Sequence, residues 1–487
     1  MNNYEKLFFP IPYSLFLIPC NAQSKLGNEW INGRGAKVKF INNTIITKYN
    51  VLANNHYFQK GNSNICDTNG NLILCSDGFH IYDSNAILID GGDSLVPAHY
   101  SSHHGGWSAA SQSSIFLPMD SNKYYFVTPS NSEGNLCYSC HNDVLYYAVI
   151  NMNANGGAGK VLKRMQPLME NAELRKTQMM ACRHANGKDW WLLKQAGDSN
   201  TICKFLFTQD SVYNMGFQQF DYPIWGIWDI RGQSTFSSDG RKYATTSHSM
   251  GTGKIFLADF DRCYGFISNP KEIIMPTGSQ HKPDTTITEK LSVGLAFSPN
   301  GEILYAISIC NIYQYDIQNN TWFHVAGLDT TIQQFQNYDA SYLGPDNKLY
   351  IGNFAGLSKQ MSVINNPDVK GAGCNFCPRC LRFDSLGIYA AASTPPCMPN
   401  YSLGVDSCWP LSIPTPPNEI AESFGIYPNP ASNMLYIKSS SNSKRELYNS
   451  IGQLLFTTKQ NEINITKYSK GIYYIKVENE VKKVVFE

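Results

Sequence analysis

One short pattern recurs along most of this chain and limits what it can fold into: a Gly, Asp or Asn turn followed at once by apolar and aromatic residues. It occurs at Asn69-Gly70 before Leu72-Ile73-Leu74, at Ser121-Asn122 before Tyr124-Tyr125-Phe126, and at Asn186-Gly187 before Trp190-Trp191-Leu192. It returns at Asp239-Gly240 before Tyr243, at Asn300-Gly301 before Ile303-Leu304-Tyr305, and at Asp346-Asn347 before Leu349-Tyr350-Ile351. With Gly70, Asn122, Gly187, Gly240, Gly301 and Asn347 as markers, units lie 46 to 65 residues apart, a period that suits four short strands. Several markers are preceded by a similar strand ending, as in Phe236-Ser237-Ser238, Phe297-Ser298-Pro299 and Leu343-Gly344-Pro345. Such units cannot bury both faces alone, so radial stacking as blades of a β-propeller is expected, with a β-sandwich or solenoid of similar hairpins as the alternative. Six blades are visible, and a seventh could close from both ends, for example through Val38-Lys39-Phe40-Ile41.

Composition agrees with an all-β chain, because Tyr (29), Phe (25) and Gly (37) favour twisted sheets joined by tight turns. Charged residues are only 16% and the formal net charge is +1, which leaves no basic field to hold nucleic acid or an anionic membrane. At 487 residues the chain exceeds one core, so a large body with accessory units is expected.

Two longer resemblances rest on particular residues. The Phe236 and Phe297 turns resemble the repeat turns of WD-type and TolB-type propellers. The ordered series Tyr146-Tyr147-Ala148-Val149, His184 to Trp190, the Phe297 turn, Gly344 to Tyr350 and Val363-Ile364-Asn365-Asn366-Pro367 resembles the propeller of exported Bacteroidetes proteins, some linked to gliding or adhesion. That resemblance covers roughly residues 24 to 390 and implies no catalytic residues; the Cys374, Cys377 and Cys380 cluster departs from it.

From Thr394 to Ser423 the chain is rich in proline (Pro395, Pro396, Pro399, Pro410, Pro414, Pro416, Pro417) and reads as a stiff linker. The tail beyond it carries Tyr427-Pro428-Asn429-Pro430, then Leu447 to Gln453 around Gly452, then Lys470-Gly471-Ile472-Tyr473-Tyr474, and Lys482-Lys483-Val484-Val485. Together these resemble the type A C-terminal sorting domain of the type IX secretion system. The resemblance implies that secretion machinery is a partner and that the protein reaches the outer-membrane surface or the medium.

Export also fits the N-terminus, where Lys6, an apolar stretch from Leu7 to Pro19 and Cys20-Asn21-Ala22 read as a signal peptide cleaved after Ala22. Pro19 stands where a lipid-anchored Cys20 usually has a small residue. No other segment approaches the ~20 apolar residues of a membrane helix. Fourteen cysteines suit an oxidising compartment, and Cys66 and Cys75, flanking the turn from Asp67 to Asn71, are expected to pair.

Candidate chemistry is thin. Gly92-Asp93-Ser94-Leu95 spells an esterase signature, but the Asp77-x-x-His80 pair lies before the serine rather than after it, so a blade turn is expected. His99, His103 and His104 share a loop and could approach a metal, though a solvated loop is the plainer reading. Cys374, Cys377 and Cys380, with Cys397, have zinc-like spacing, as do Cys137 and Cys140, yet disulfides fit an exported protein better. Asp67 to Asn71 lacks the glycine a calcium loop needs after it, since Leu72 stands there. Trp190, Trp191, Trp225 and Trp228 could stack on sugars, although adjacent strand residues face opposite ways, so one of Trp190 and Trp191 belongs to the core.

The expected chain is therefore a signal peptide (1–22), a six- or seven-bladed β-propeller (23–393), a linker (394–423) and a small C-terminal β-sandwich (424–487). No catalytic residue, metal ligand or cofactor is assigned. The body is read as a binding protein for a glycan or surface protein, with a secreted polymer hydrolase or lyase, or a structural surface component, as alternatives.

Overall fold

A computed structural model describes residues 24–41, 44–49, 57–120, 122–132, 141–197, 200–221, 232–247, 253–276, 292–327, 338–353, 359–383, 394–408, 424–439, 444–450, 452–478 and 480–487. The signal-peptide residues with Ala22, and also Cys137, Cys140, Trp225 and Trp228, lie outside the described residues. The described chain is nearly all β.

Among the described residues of the body the strands form seven antiparallel sheets in chain order. Sheets 1 (29–49) and 2 (63–83) have three strands; sheets 3 (115–169), 4 (174–219), 5 (232–274), 6 (292–327) and 7 (338–382) have four. Each sheet runs up and down, so every connection within it is a hairpin. All six marker residues fall in one equivalent place, the turn between the first and second strands of sheets 2 to 7. The reason is local. Gly70, Asn122, Gly187, Gly240, Gly301 and Asn347 all have positive φ, which Gly and Asn adopt most cheaply. In the Phe-Ser turns the serine adds a second lock: Ser237 Oγ donates to Asp239 and accepts from the Lys242 N–H, and Ser298 Oγ does the same with Asn300 and Ile303. Sheet 1 has its own version at Gly33 and Gly35, between Glu29–Asn32 and Ala36–Ile41. Val38 to Ile41 lie in that second strand.

Each sheet packs on the next through an apolar layer, and the series returns on itself, because Trp30 and Phe40 of sheet 1 pack against Tyr350 and Met361 of sheet 7. Adjacent tryptophans serve two such layers. Trp190 faces the core shared with sheets 2 and 3, and Trp191 faces the core shared with sheet 5. Both are buried, so neither offers a ring to a sugar.

Residues 394–408 depart from the linker expected over 394–423, since they are docked on the body. The Cys397 N–H donates to the Asn62 carbonyl, in a parallel bridge beside Ser63, so the chain leaving sheet 7 returns to the N-terminal sheets. Tyr401 is buried with its hydroxyl donating to the Phe116 carbonyl at 3.0 Å, and Cys408 forms a disulfide with Cys263 of sheet 5. Asp406 pairs with Arg241 and Arg262. The described part of this strap runs to Cys408, and the residues from 409 to 423 lie outside the described ones.

The expected Cys66–Cys75 disulfide is not made; both are free, buried thiols. The Asp67 carboxylate accepts from the N–H groups of Asn69 and Asn71, which centres the turn nearer Asn69 than the Gly70–Asn71 step. Cys66 then stands opposite Leu72, and Cys75 opposite Asn64. Burial pushes the Cys66 thiol up to about 12.

The C-terminal unit places two sheets around one core: Phe424–Tyr427, Met434–Ser439 and Glu462–Asn464 in the first, with Arg445–Asn449, Leu454–Thr458, Gly471–Val477 and Glu480–Phe486 in the second. Leu435, Ile437 and Ile463 from one sheet meet Leu447, Ile475 and Val484 from the other. Their alternation with exposed residues follows the two-residue period of a half-buried strand.

Candidate functional site

In the C-terminal unit, motifs far apart in sequence meet. The Asn429 side chain acts like a short piece of β-strand: its Nδ2 donates to the Lys483 carbonyl at 3.0 Å, and its Oδ1 accepts from the Val485 N–H at 2.9 Å. Two residues on, the Ala431 N–H donates to the Val485 carbonyl and Ala431 accepts from the Glu487 N–H. The Tyr-Pro-Asn-Pro loop is thereby sewn to the last strand. Lys482 lies over the Phe424 ring at 5.2 Å. Gly452 takes positive φ in the turn after Arg445–Asn449, and Gly471 opens the strand Gly471–Val477 at a φ that other residues avoid. Tyr427 is left facing outward and stacks on Tyr436, with ring centres 5.6 Å apart. Lys438, Gln460, Asn461 and Glu462 border this pair, giving an aromatic shelf with polar edges.

In the body, three buried glutamines join the sheets to one another. Gln112 Nε2 donates to the Ser234 carbonyl while its Oε1 accepts from the Ser234 N–H, both at 2.7 Å, linking the start of sheet 3 to sheet 5. Gln233 repeats the device from sheet 5: Nε2 donates to the Ser341 carbonyl, and Oε1 accepts from the N–H groups of Ser341 and Leu295. Gln178 of sheet 4 donates to Thr246 of sheet 5. Gln112 and Gln233 thus each join two sheets that are not consecutive along the chain, sheet 3 to sheet 5 and sheet 5 to sheet 7. Nearby, Lys60 and Asp339 form a buried ion pair at 2.6 Å, and burial brings the Lys176 ammonium down to about 8.

These two sites rest on different grounds, and comparison with known proteins decides the first. Residues 425–486 match the secretion system C-terminal sorting domain family. The protein is thus exported to the cell surface or the extracellular space, with the type IX machinery as a partner. Among the described residues no helix is long and apolar enough to cross a membrane. The matched residues include the four motifs of the tail, and the Asn429 bridge explains why the first and last of them belong together. Sequence reasoning found those motifs but not the shelf; the alternation of Tyr436 with buried Leu435 and Ile437 was its one available signal.

No curated protein matches the sequence. Among solved structures, a putative 6-phosphogluconolactonase from Bacteroides uniformis is similar at 14% identity and TM-score 0.34, over 77% of this chain and 90% of that one. The periplasmic gluconolactonase of Pseudomonas aeruginosa is similar at 12% identity and TM-score 0.35, over 64% and 93%. The extracellular domain of a putative hybrid two-component system from B. thetaiotaomicron is similar at 10% identity and TM-score 0.37, over 94% and 55%. Likeness at that level says nothing of what this chain does.

The remaining sequence candidates resolve into structure. Asp77 and His80 do meet, at 3.0 Å, but the same carboxylate accepts from the Tyr82 hydroxyl and from the N–H groups of Phe79 and His80, which makes it the hub of a turn. Burial lowers the His80 pKa, and the bond to Asp77 more than reverses this, holding it above the ordinary value. Ser94 is exposed, in a left-handed turn. His99 and His103 lie on a short helix, α1 (Ala98–His103), and His104 follows it, bonded through Nδ1 to the Tyr100 carbonyl. Among the described residues no three His, Cys, Asp or Glu side chains stand close enough to hold a metal. Cys377 and Cys380 are joined in a disulfide, whereas Cys374 and Cys397 are free and buried.

Proposed function

We propose that this protein is a seven-bladed β-propeller displayed or released outside a bacterium of the Bacteroidetes, where its loops recognise a glycan or a surface protein, and that a β-sandwich sorting domain delivers it. On this reading a signal peptide is removed after Ala22, the strap completes the body, and the chain from 409 to 423 joins it to the tail. The observation that carries the delivery half is the Asn429 bridge, which makes one surface out of the two end motifs of the sorting domain. The return of sheet 7 onto sheet 1 supports a closed ring of seven, and the glutamine bonds between non-consecutive sheets support recognition at its mouths and rim rather than in a channel. The body is read as non-enzymatic. Two measurements test this. Cell fractionation compares the full chain with one truncated after Ala421, and equal export of both would sink the delivery half. A polysaccharide and glycoprotein array probed with purified protein tests recognition, and a blank array removes the binding half.

A further inference from the structure

The first strands of consecutive sheets lie side by side, so the last strand of each sheet is the edge left facing outward. An exposed edge offers unpaired N–H and C=O groups to any other strand, and proteins blunt such edges with charge, proline or a covering segment. Most edges of the body are blunted in one of these ways. In sheet 3, Lys160–Met169 carries Lys160, Lys163, Arg164 and Pro167, with three breaks in register. In sheet 5, Phe266–Ile274 carries Pro270, Lys271 and Glu272, and in sheet 7, Phe376–Arg382 carries Pro378, Arg379 and Arg382. In sheet 6 the turn Gly371–Cys374 packs against Thr321–Gly327. Sheet 1 has Lys48 exposed in Thr44–Tyr49, and the short edge of sheet 2, Ile81–Asp83, is met at Tyr82 by a bridge from Leu88.

Sheet 4 is different. Its edge, Val212–Gln219, holds no charged residue and no proline. Tyr213, Met215 and Phe217 stand along it 51%, 37% and 58% exposed. The strand pairs with Thr201–Phe207 on one side only, with a bulge at Gly216 whose N–H donates to the Asn214 side chain. Asn214 Nδ2 in turn reaches the Leu168 carbonyl of sheet 3 at 3.4 Å. The apolar surface continues onto sheet 5, because Gln218 bonds both backbone groups of Ile267 and so sets the exposed Phe266 beside the edge. Lys204, in the neighbouring strand, holds its ammonium over the Phe266 ring at 5.8 Å.

A second copy of this chain fits that edge. In an antiparallel pair about a two-fold axis a strand meets itself, so a cation on it stands near its own like charge. The edges of sheets 3 and 7 would set lysine or arginine against their copies, whereas Val212–Gln219 sets aromatic and aliphatic groups against themselves. Each of the four half-exposed side chains offers about 100 Å², half of what a buried aromatic contributes. With the edge backbone added, two chains would bury about 1,000 Å², the size of a weak, reversible interface. We infer that Val212–Gln219 pairs with the same strand of a second copy, joining sheet 4 of two chains into one continuous sheet with Tyr213, Met215, Phe217 and Phe266 at the contact. This pairing does not depend on the body recognising a glycan or a surface protein.

Sedimentation velocity of the full chain over a wide range of concentration tests this. The natural sequence is expected to pass from one-chain to two-chain mass as concentration rises, and Tyr213→Lys with Phe217→Lys to stay at one-chain mass throughout. Leu162→Lys, at an exposed position on the edge of sheet 3, should leave the rise unchanged. Hydrogen exchange of the natural chain reads the same contact without a variant: amides of residues 212–219 should exchange more slowly at high concentration, and those of 376–382 at an unaltered rate. Should the double variant not fold, exchange decides alone. A natural chain that keeps one-chain mass, a rise that the double variant retains, or exchange at 212–219 that ignores concentration overturns the assignment.

Discussion

Replacing Gln233 with alanine removes a side chain that holds three backbone groups of two other sheets: the Ser341 N–H and carbonyl, and the Leu295 N–H. Gln233 is 1% exposed, so those groups have no bulk water to turn to. Each stranded group costs about 1–3 kcal/mol, and a water entering the space recovers part, which leaves a net loss of about 3–5 kcal/mol. With an unfolding entropy of ~2.1 cal/mol/K per residue over the roughly 370 residues of the body, the melting temperature should fall by about 4–6 °C. Differential scanning calorimetry of the full chain reads this as a shift of the body transition only. Gln233→Glu sharpens the test, because a carboxylate still accepts from both N–H groups but presents a second acceptor to the Ser341 carbonyl. Its burial raises the folded pKa above the unfolded value of ~4.3, so the protonated form is favoured and the deficit should shrink as pH falls towards about 5. A Gln233→Ala chain that melts with the natural one would refute the view that amides across the ring hold the sheets together.

Other expectations are as direct. Asn429→Ala should free the last strand of the sorting domain, speeding hydrogen exchange of residues 480–487 by about 5- to 30-fold for a loss of ~1–2 kcal/mol, and should lower export. Tyr436→Ala removes half of the exposed shelf and should reduce export in fractionation while leaving that exchange unchanged. Cys263→Ser with Cys408→Ser opens a loop with a sequence separation of 145; chain entropy puts the loss at up to about 5 kcal/mol, and limited proteolysis should then cut beside Leu403. The His80–Asp77 bond raises the folded pKa of His80 above its unfolded ~6.5. Its contribution is fully present below that value and fades as pH rises through the folded one. The melting difference between the natural chain and His80→Gln should accordingly shrink above neutrality.

What could be read from the sequence was what local chemistry fixes. Gly70, Asn122, Gly187, Gly240, Gly301 and Asn347 are legible because a left-handed turn residue is a requirement of five or six positions, and all six mark the same turn. The sorting motifs are legible for the same reason, each being a turn with its flanking strand. Glutamine at 112, 178 and 233 carries no periodic signal, and Gln112 and Gln233 find partners more than 100 positions away, so these joints leave no trace in the sequence. The strap is not legible because its prolines resemble those of a free linker, and its buried apolar residues, Cys397, Tyr401 and Leu403, are too few to show a pattern. The Cys66 thiol was misassigned by a shift of register that one aspartate dictates.

Both units solve closure in the same way. Gln112 and Gln233 in the body, and Asn429 in the sorting domain, place a side-chain amide where a strand's own N–H and carbonyl would stand, and each pairs with one backbone in both directions. An amide neither titrates nor is screened by salt, whereas exposed ion pairs weaken with ionic strength and fail at the pKa of either partner. A chain with only 16% charged residues has few ions to spend on such joints in any case. For a protein delivered outside the cell, where pH and salt are not regulated, joints made of amides keep the ring and the tail closed across conditions that would loosen ionic ones. Among the ion pairs of the body, Lys60–Asp339 is one that fits the argument, since at 2.6 Å and with Asp339 almost fully covered it is shielded from salt.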